Sequence, residues 1–99
     1  MSSSQCTALT HDGAAILYKL CKHFAKKIPA SWSEDRRSGK ATFEWGVVTF
    51  HSSDAALQIE CMAPDDVTLD RLEAVITQHL QLMSRRDPLE VRWRRDQAS

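Results

Sequence analysis

Two helical patterns of apolar residues, separated by a block of alternating residues, constrain the fold of this chain most strongly. In the first pattern apolar side chains recur every three or four residues, which places them on one face of an α-helix. Pro29 is expected to end this helix, because the residue before a proline is disfavoured in helical backbone. The members of the first pattern are Leu17, Leu20, Cys21, Phe24 and Ile28.

The second pattern follows Pro64, where Asp65 and Asp66 are suited to a helix start. An aspartate there can accept a hydrogen bond from a free backbone N–H, and its charge suits the positive end of the helix. Arg85 and Arg86 stand at the far end, where cations are favoured. The apolar members of this helix are Leu69, Leu72, Ile76, Leu80 and Met83.

Between and around the helices, apolar and polar residues alternate with the period of two that marks a strand with one buried face. Trp45–Gly46 is predicted to be a tight turn, and residues 30–40 to be a loop anchored by Trp32. The predicted strands are residues 6–10, 41–44, 47–51, 57–61 and 89–94.

The predicted order is therefore β-α-β-β-β-α-β, an α+β fold in which two helices cover one face of a mostly antiparallel sheet. A chain of 99 residues is too short for two cores, so we expect one domain over residues 1–99, ordered from about 6 to 95. The predicted shared core is Leu17, Leu20, Cys21, Phe24, Ile28, Phe43, Leu57, Ile59, Leu72, Ile76, Leu80 and Val91.

Two segments carry a resemblance to a known family. They are the helix segment 20–29, which contains Leu-Cys-Lys-His-Phe-Ala, and the closing Leu-Glu-Val-Arg-Trp of residues 89–93. Together with their spacing, they resemble a bacterial family known as domain of unknown function 2218. The resemblance implies a small α+β cytoplasmic protein, brings no activity with it, and places members in an iron or siderophore gene context.

A looser similarity concerns the middle of the chain, which resembles the C-terminal domain of phosphohexomutases, a TBP-like arrangement. Those enzymes hold phosphate in an arginine-serine-glycine loop between strands. The matching segment here, residues 51–54, is His-Ser-Ser-Asp. It lacks the arginine and the glycine, so the similarity implies the fold and not the phosphate site.

Charge is distributed unevenly along the chain, although the thirteen basic and thirteen acidic residues cancel. Residues 1–40 contain seven basic and three acidic residues, whereas residues 41–84 contain one basic and seven acidic. Such asymmetry can steer an anionic ligand or an acidic partner towards the first helix. The predicted binding residues are Lys19, Lys22, His23, Lys26, Trp32, Arg36 and Arg37.

Three functional hypotheses remain open. The first is a non-enzymatic accessory protein that binds an acidic protein partner or a small anionic ligand through the first helix and residues 32–40. The second is a small-molecule enzyme that uses His23 as a general base beside a carboxylate. The third is a metal-handling protein, although no metal-ligand spacing occurs and we predict neither metal ligands nor a cofactor.

The sequence also bears on location and partners. Three widely spaced cysteines are a poor disulfide framework, and the polar first five residues do not resemble a secretory signal, so a reducing cytoplasm is expected. No apolar run is long enough to cross a membrane. Without a nucleic-acid-binding module, we expect neither nucleic acid nor membrane as partner, and a monomer or weak homodimer.

Overall fold

The fold was analysed in a computed structural model, which describes residues 1–84 and 89–95. Two α-helices and a six-stranded antiparallel sheet make up this part of the chain. The elements are β1 (Ser2–Leu9), α1 (Gly13–Phe24), β2 (Ala30–Trp32), β3 (Ser38–Phe43), β4 (Gly46–Ser52), β5 (Ala56–Ala63), α2 (Asp66–Met83) and β6 (Trp93–Arg95).

The strands lie in the order β2-β3-β4-β5-β1-β6, so the first strand pairs between β5 and β6. Helix α1 packs on the β2, β3 and β4 side, and α2 packs on β5 and β1. Both helices lie on the same face, because the buried positions of each strand share one parity. The predicted α+β class and the antiparallel sheet are therefore confirmed.

The core lies between the helices and this sheet face. Most of the predicted core residues are buried there, while Ile28, Phe43 and Val91 are half-buried and pack against its edge. Phe50 and Val48 on β4, which the prediction left out, are completely buried. Asp65 caps α2 as predicted, since its carboxylate accepts a 2.7 Å hydrogen bond from the Thr68 amide.

Several boundaries differ from the predictions. Strand β1 begins at Ser2 and not at residue 6, because residues 2–5 pair with residues 60–63 of β5. Helix α1 ends at Phe24, and tighter bonds such as Lys27 N–H to the Phe24 carbonyl then lead the chain to Pro29. The segment predicted as a loop contains β2 and the start of β3, because pairing along β3 fixes even its polar residues as a strand. The last strand begins only at Trp93, and Arg85 and Arg86 lie outside the described residues.

The three cysteines are free and buried. Burial raises the pKa of Cys6, raises that of Cys21 to about 11, and raises that of Cys61 to about 12 with help from the nearby Glu73 carboxylate. A thiol with so high a pKa holds almost no thiolate, which is the reactive form.

The native protein is therefore expected to resist alkylation by iodoacetamide at pH 8, while all three thiols react in denaturant. Mass spectrometry after a short exposure measures the number of adducts. Rapid modification of any one thiol in the folded protein would show that its burial is wrong.

Candidate functional site

The lysines that the sequence singled out on α1 and just after its end are on the surface. Lys19, Lys22 and Lys26 are all exposed. In the described part of the chain the ion pairs join Arg92 to Glu90, and Arg95 to Asp70 and Glu73. None of the three lysines takes part in these ion pairs.

Tyr18 organises the cations nearest to it. The guanidinium carbon of Arg36 lies 3.9 Å from the centroid of its ring, and the Lys22 ammonium lies 5.6 Å from it. The Trp32 ring meets the same ring edge-on, with centroids 5.6 Å apart. We call Tyr18, Lys22, Trp32 and Arg36 the aromatic–cationic cluster.

The backbone around Arg36 explains how its side chain reaches Tyr18. Arg36 has a φ of 59°, the one positive value among the described non-glycine residues. This conformation costs on the order of 1–3 kcal/mol in a non-glycine residue and persists only where the surroundings enforce it. Here the Arg36 amide donates to the Ser33 carbonyl, and its own carbonyl accepts from the Ser52 hydroxyl at 2.9 Å each.

Further hydrogen bonds hold the same turn. The Asp35 carboxylate accepts bonds from the Ser33 hydroxyl at 2.5 Å and from the Arg37 amide at 3.0 Å, and these bonds lower the pKa of Asp35. The Arg37 carbonyl accepts from the Ser52 amide at 2.8 Å. These hydrogen bonds tie the turn to β4, so the backbone that carries the Arg36 side chain is held in place.

Chemically, the cluster suits an anion. An arginine stacked on an aromatic ring keeps the N–H groups at its edge available for a bidentate bond to a carboxylate or phosphate. The second cation on the same ring, Lys22, adds positive charge without a partner among the described ion pairs. Trp32, with 37% of its surface exposed, supplies an adjacent apolar contact.

His23, which the sequence grouped with these residues, belongs to a different set of contacts. Its ring lies 4.9 Å from the His79 ring and 5.7 Å from the Phe24 ring, measured between centroids. Loss of solvation lowers the pKa of His23 below its ordinary value, and the neighbouring His79, Lys26 and Lys27 lower it further. A general base is normally paired with a carboxylate, whereas the side chains that act on the pKa of His23 are a histidine and two lysines.

This environment predicts an acid-sensitive component of stability. The folded state takes up the His23 proton only at a pH below about 6.5, where the unfolded chain already binds it, so unfolding becomes easier as pH falls through that window. Chemical denaturation between pH 7 and pH 5 should show this decline, and His23→Gln should reduce it. His51→Gln, on the opposite face of the sheet, should keep the decline, and an unchanged slope in His23→Gln would contradict the assignment.

The turn compared with a phosphate loop uses its hydroxyls internally. Ser53 Oγ donates to the Ala56 carbonyl and accepts from the Ala56 amide, and Ser52 Oγ donates to the Arg36 carbonyl. These bonds leave the serines little capacity to hold an anion. Within residues 1–84 and 89–95, no group of three or more histidine, cysteine or acidic residues is placed to hold a metal ion.

The sheet face away from the helices is mainly polar and carries mixed charge, with Met62 and Val47 paired at one end of it. Strand register aligns one side chain from each strand in a row across this face. With one carboxylate between two cations, the row has no strong attraction for one sign of charge. Its members are Arg94, Gln5, Glu60, Thr49, Lys40 and Ser31.

The sequence indicated the cations of the cluster but not Tyr18, whose ring both of them contact. Tyr18 sits beside the apolar stripe of α1, so the helical spacing alone carries a signal that it lies at the edge of the buried face. Trp32 and Trp45 have different aromatic neighbours. Trp45 packs on Phe43 at 5.0 Å, and the Arg71 guanidinium lies 4.6 Å from its ring.

Comparison with known proteins gives a family and a fold. The family described as "Uncharacterized protein conserved in bacteria (DUF2218)" matches residues 5–94. The NMR structure of a protein from Pseudomonas aeruginosa is similar over 95% of this chain and 96% of its own, with a TM-score of 0.79 and 23% identity. A search of curated proteins gave no match. No helix in the described ranges is long and apolar enough to cross a membrane.

Proposed function

The chain belongs to this DUF2218 family of bacterial proteins, and we propose that it is a non-enzymatic interaction protein that binds an acidic protein partner through the aromatic–cationic cluster. The observation that carries the proposal is the geometry around Tyr18. One ring holds two cations, and one of them comes from a turn with strained backbone.

The strain at Arg36 supports a functional role for its side chain. Glycine is the residue that adopts a positive φ without cost. An arginine in this conformation makes the folded state less stable than a glycine would. The arginine side chain lies over the Tyr18 ring, a contact that glycine cannot make. An anion-binding role accounts for this placement, because a stacked guanidinium is preorganised and loses less freedom on binding.

Lys19 on α1 and Arg37 in the turn that carries Arg36 are exposed and extend the positive surface around the cluster. Lys26 lies beyond the end of α1, and its charge acts on His23. Exposed charges around the cluster steer an acidic partner and raise its association rate. The contacts at Tyr18 determine its dissociation rate. We place the interaction in the cytoplasm, because three free buried thiols suit a reducing compartment. A small anionic ligand at the same cluster is the alternative occupant.

The test compares two charge-reversal variants of equal net charge. Lys22→Glu with Arg36→Glu alters the cluster, and Lys40→Glu with Arg94→Glu alters the open sheet face. Tagged wild type and both variants are incubated with lysate of the source bacterium, and bound proteins are quantified. We expect the cluster variant to lose its acidic partners by at least tenfold, and the sheet-face variant to retain them.

Salt dependence is the second measurement in the same experiment. Capture by the wild type should weaken as salt is raised above physiological strength, where the Debye length is already only about 8 Å. Equal capture by the two variants, or binding by the wild type that is indifferent to salt, would contradict the proposal. Melting curves identify any loss caused by unfolding, and exposed charges should shift the melting temperature only slightly.

A further inference from the structure

The paired imidazoles of His23 and His79 are a feature that the proposed interaction surface does not use. The two residues come from different helices, and the fold brings their ring centroids to 4.9 Å with the ring planes inclined by 53°. His23 is exposed and His79 is half-buried, so solvent reaches the pair from one side.

The hydrogen bond of His79 fixes which of its nitrogens is free. Its Nδ1 lies 2.7 Å from the Val75 carbonyl oxygen. A carbonyl only accepts, so Nδ1 carries the proton in this bond and Nε2 keeps its lone pair. The same arrangement orients histidines that bind metals, where the second nitrogen donates to a carbonyl or carboxylate and raises the basicity of the ligating one.

The separation of the rings also fits a shared ion. Two imidazoles that bind one tetrahedral metal through N–metal distances of about 2.1 Å have ring centroids about 5 Å apart. We propose that His23 and His79 form a two-imidazole site for a divalent metal of borderline softness, such as Zn²⁺, Ni²⁺ or Cu²⁺. Imidazole nitrogen is the ligand type that these metals prefer.

The remaining coordination positions are open. With no third protein ligand at the site among residues 1–84 and 89–95, water or an anion completes the metal shell. Lys26 and Lys27 lie within four residues of His23, and their positive charges repel a bare cation that approaches its ring. Their presence therefore predicts a weak, exchangeable site that gains from an anion bound to the metal.

The experiment is a calorimetric titration of the full, untagged chain with Zn²⁺ or Cu²⁺ in a buffer that does not bind metals. We expect one site whose affinity falls about tenfold or more in each of His23→Gln and His79→Gln. His11→Gln and His51→Gln are the matched controls, since both residues are exposed, His11 precedes α1 and His51 lies on the sheet face away from the helices. Both variants should bind as the wild type does.

A third variant moves the affinity in the opposite direction. Replacing Lys26 and Lys27 together by glutamine removes the repulsion and should tighten metal binding if the ion sits beside His23. Amide spectra of the metal-free variants verify their folding, and Cu²⁺ should broaden signals near residues 23 and 79. No binding by the wild type, binding unaffected by the His23 and His79 substitutions, or broadening elsewhere would overturn the proposal.

Discussion

Replacing Phe50 by alanine is expected to lower the free energy of unfolding by about 3–5 kcal/mol, the range found for large aromatic side chains removed from a core. Phe50 is the largest of the completely buried side chains. It lies on β4, a central strand that contacts both helices. The cavity left by alanine would be lined by the rigid sheet and by both helices, so it has little means of collapsing.

Urea denaturation of the variant and the wild type measures the difference. The matched control is Val67→Ala, because Val67 is 79% exposed on α2 and its removal leaves no cavity. Surface changes of this kind stay within about 0.5 kcal/mol. If Phe50→Ala unfolded at the same urea concentration as the control, the placement of the core between helices and sheet would be wrong.

Gly39→Ala is expected to cost about 1–3 kcal/mol, the range for forcing extra volume into a packed core. Gly39 lies on β3 under α1, and a Cβ built there comes within 2.7 Å of the Cys21 Sγ and 3.1 Å of the Leu17 Cδ2. Both side chains are completely buried, so neither has free space to move into. Glycine is required at this position because the absence of a Cβ lets α1 approach the sheet, and not because the backbone needs a positive φ.

A double substitution identifies the cause. Cys21→Ala removes the sulfur that the new methyl group meets, so the pair Gly39→Ala and Cys21→Ala should cost less than the sum of the two single changes. A coupling of this sign is expected for residues in direct contact. Strict additivity in denaturation experiments would show that α1 does not contact β3 at this position.

Gly39 also illustrates why the predicted loop over residues 30–40 was only partly right. Its composition, rich in serine and charge, is typical of a loop. The structure makes Ala30–Trp32 an edge strand, and Trp32 lies opposite Gly39 in the register. Tertiary pairing along β3 outweighs local propensity in this segment, and a single sequence contains no signal of that pairing.

The helices were predicted better because their signals are local. The spacing of Leu17, Leu20 and Phe24 requires one buried face wherever the helix packs, and the structure buries all three. The capping aspartate Asp65 is equally local. The end of α1 at Phe24 is a different case. Pro29 limits how far a helix can extend but does not say how much earlier it stops.

The candidate site was predicted as a group of cations and not as an arrangement. Lys22 and Arg36 were identified by charge, yet the contact between them runs through Tyr18, and only the packing of α1 against β2 and its following turn creates it. His23 was assigned to the same surface, and the structure instead pairs it with His79 from α2. Contacts between distant segments of the chain decided both outcomes.

The most direct test of the anion-binding cluster is a titration of ¹⁵N-labelled protein with a synthetic hexaglutamate peptide, followed by amide and indole N–H spectra. Shifts are expected to concentrate at the Trp32 indole, the Arg36 side-chain N–H and the backbone of residues 18–22, and to diminish as salt is added. Signals from Thr49 and Gln58 on the open sheet face should stay in place. Shifts confined to the open sheet face, or no shifts at the cluster at low salt, would contradict anion binding at the cluster.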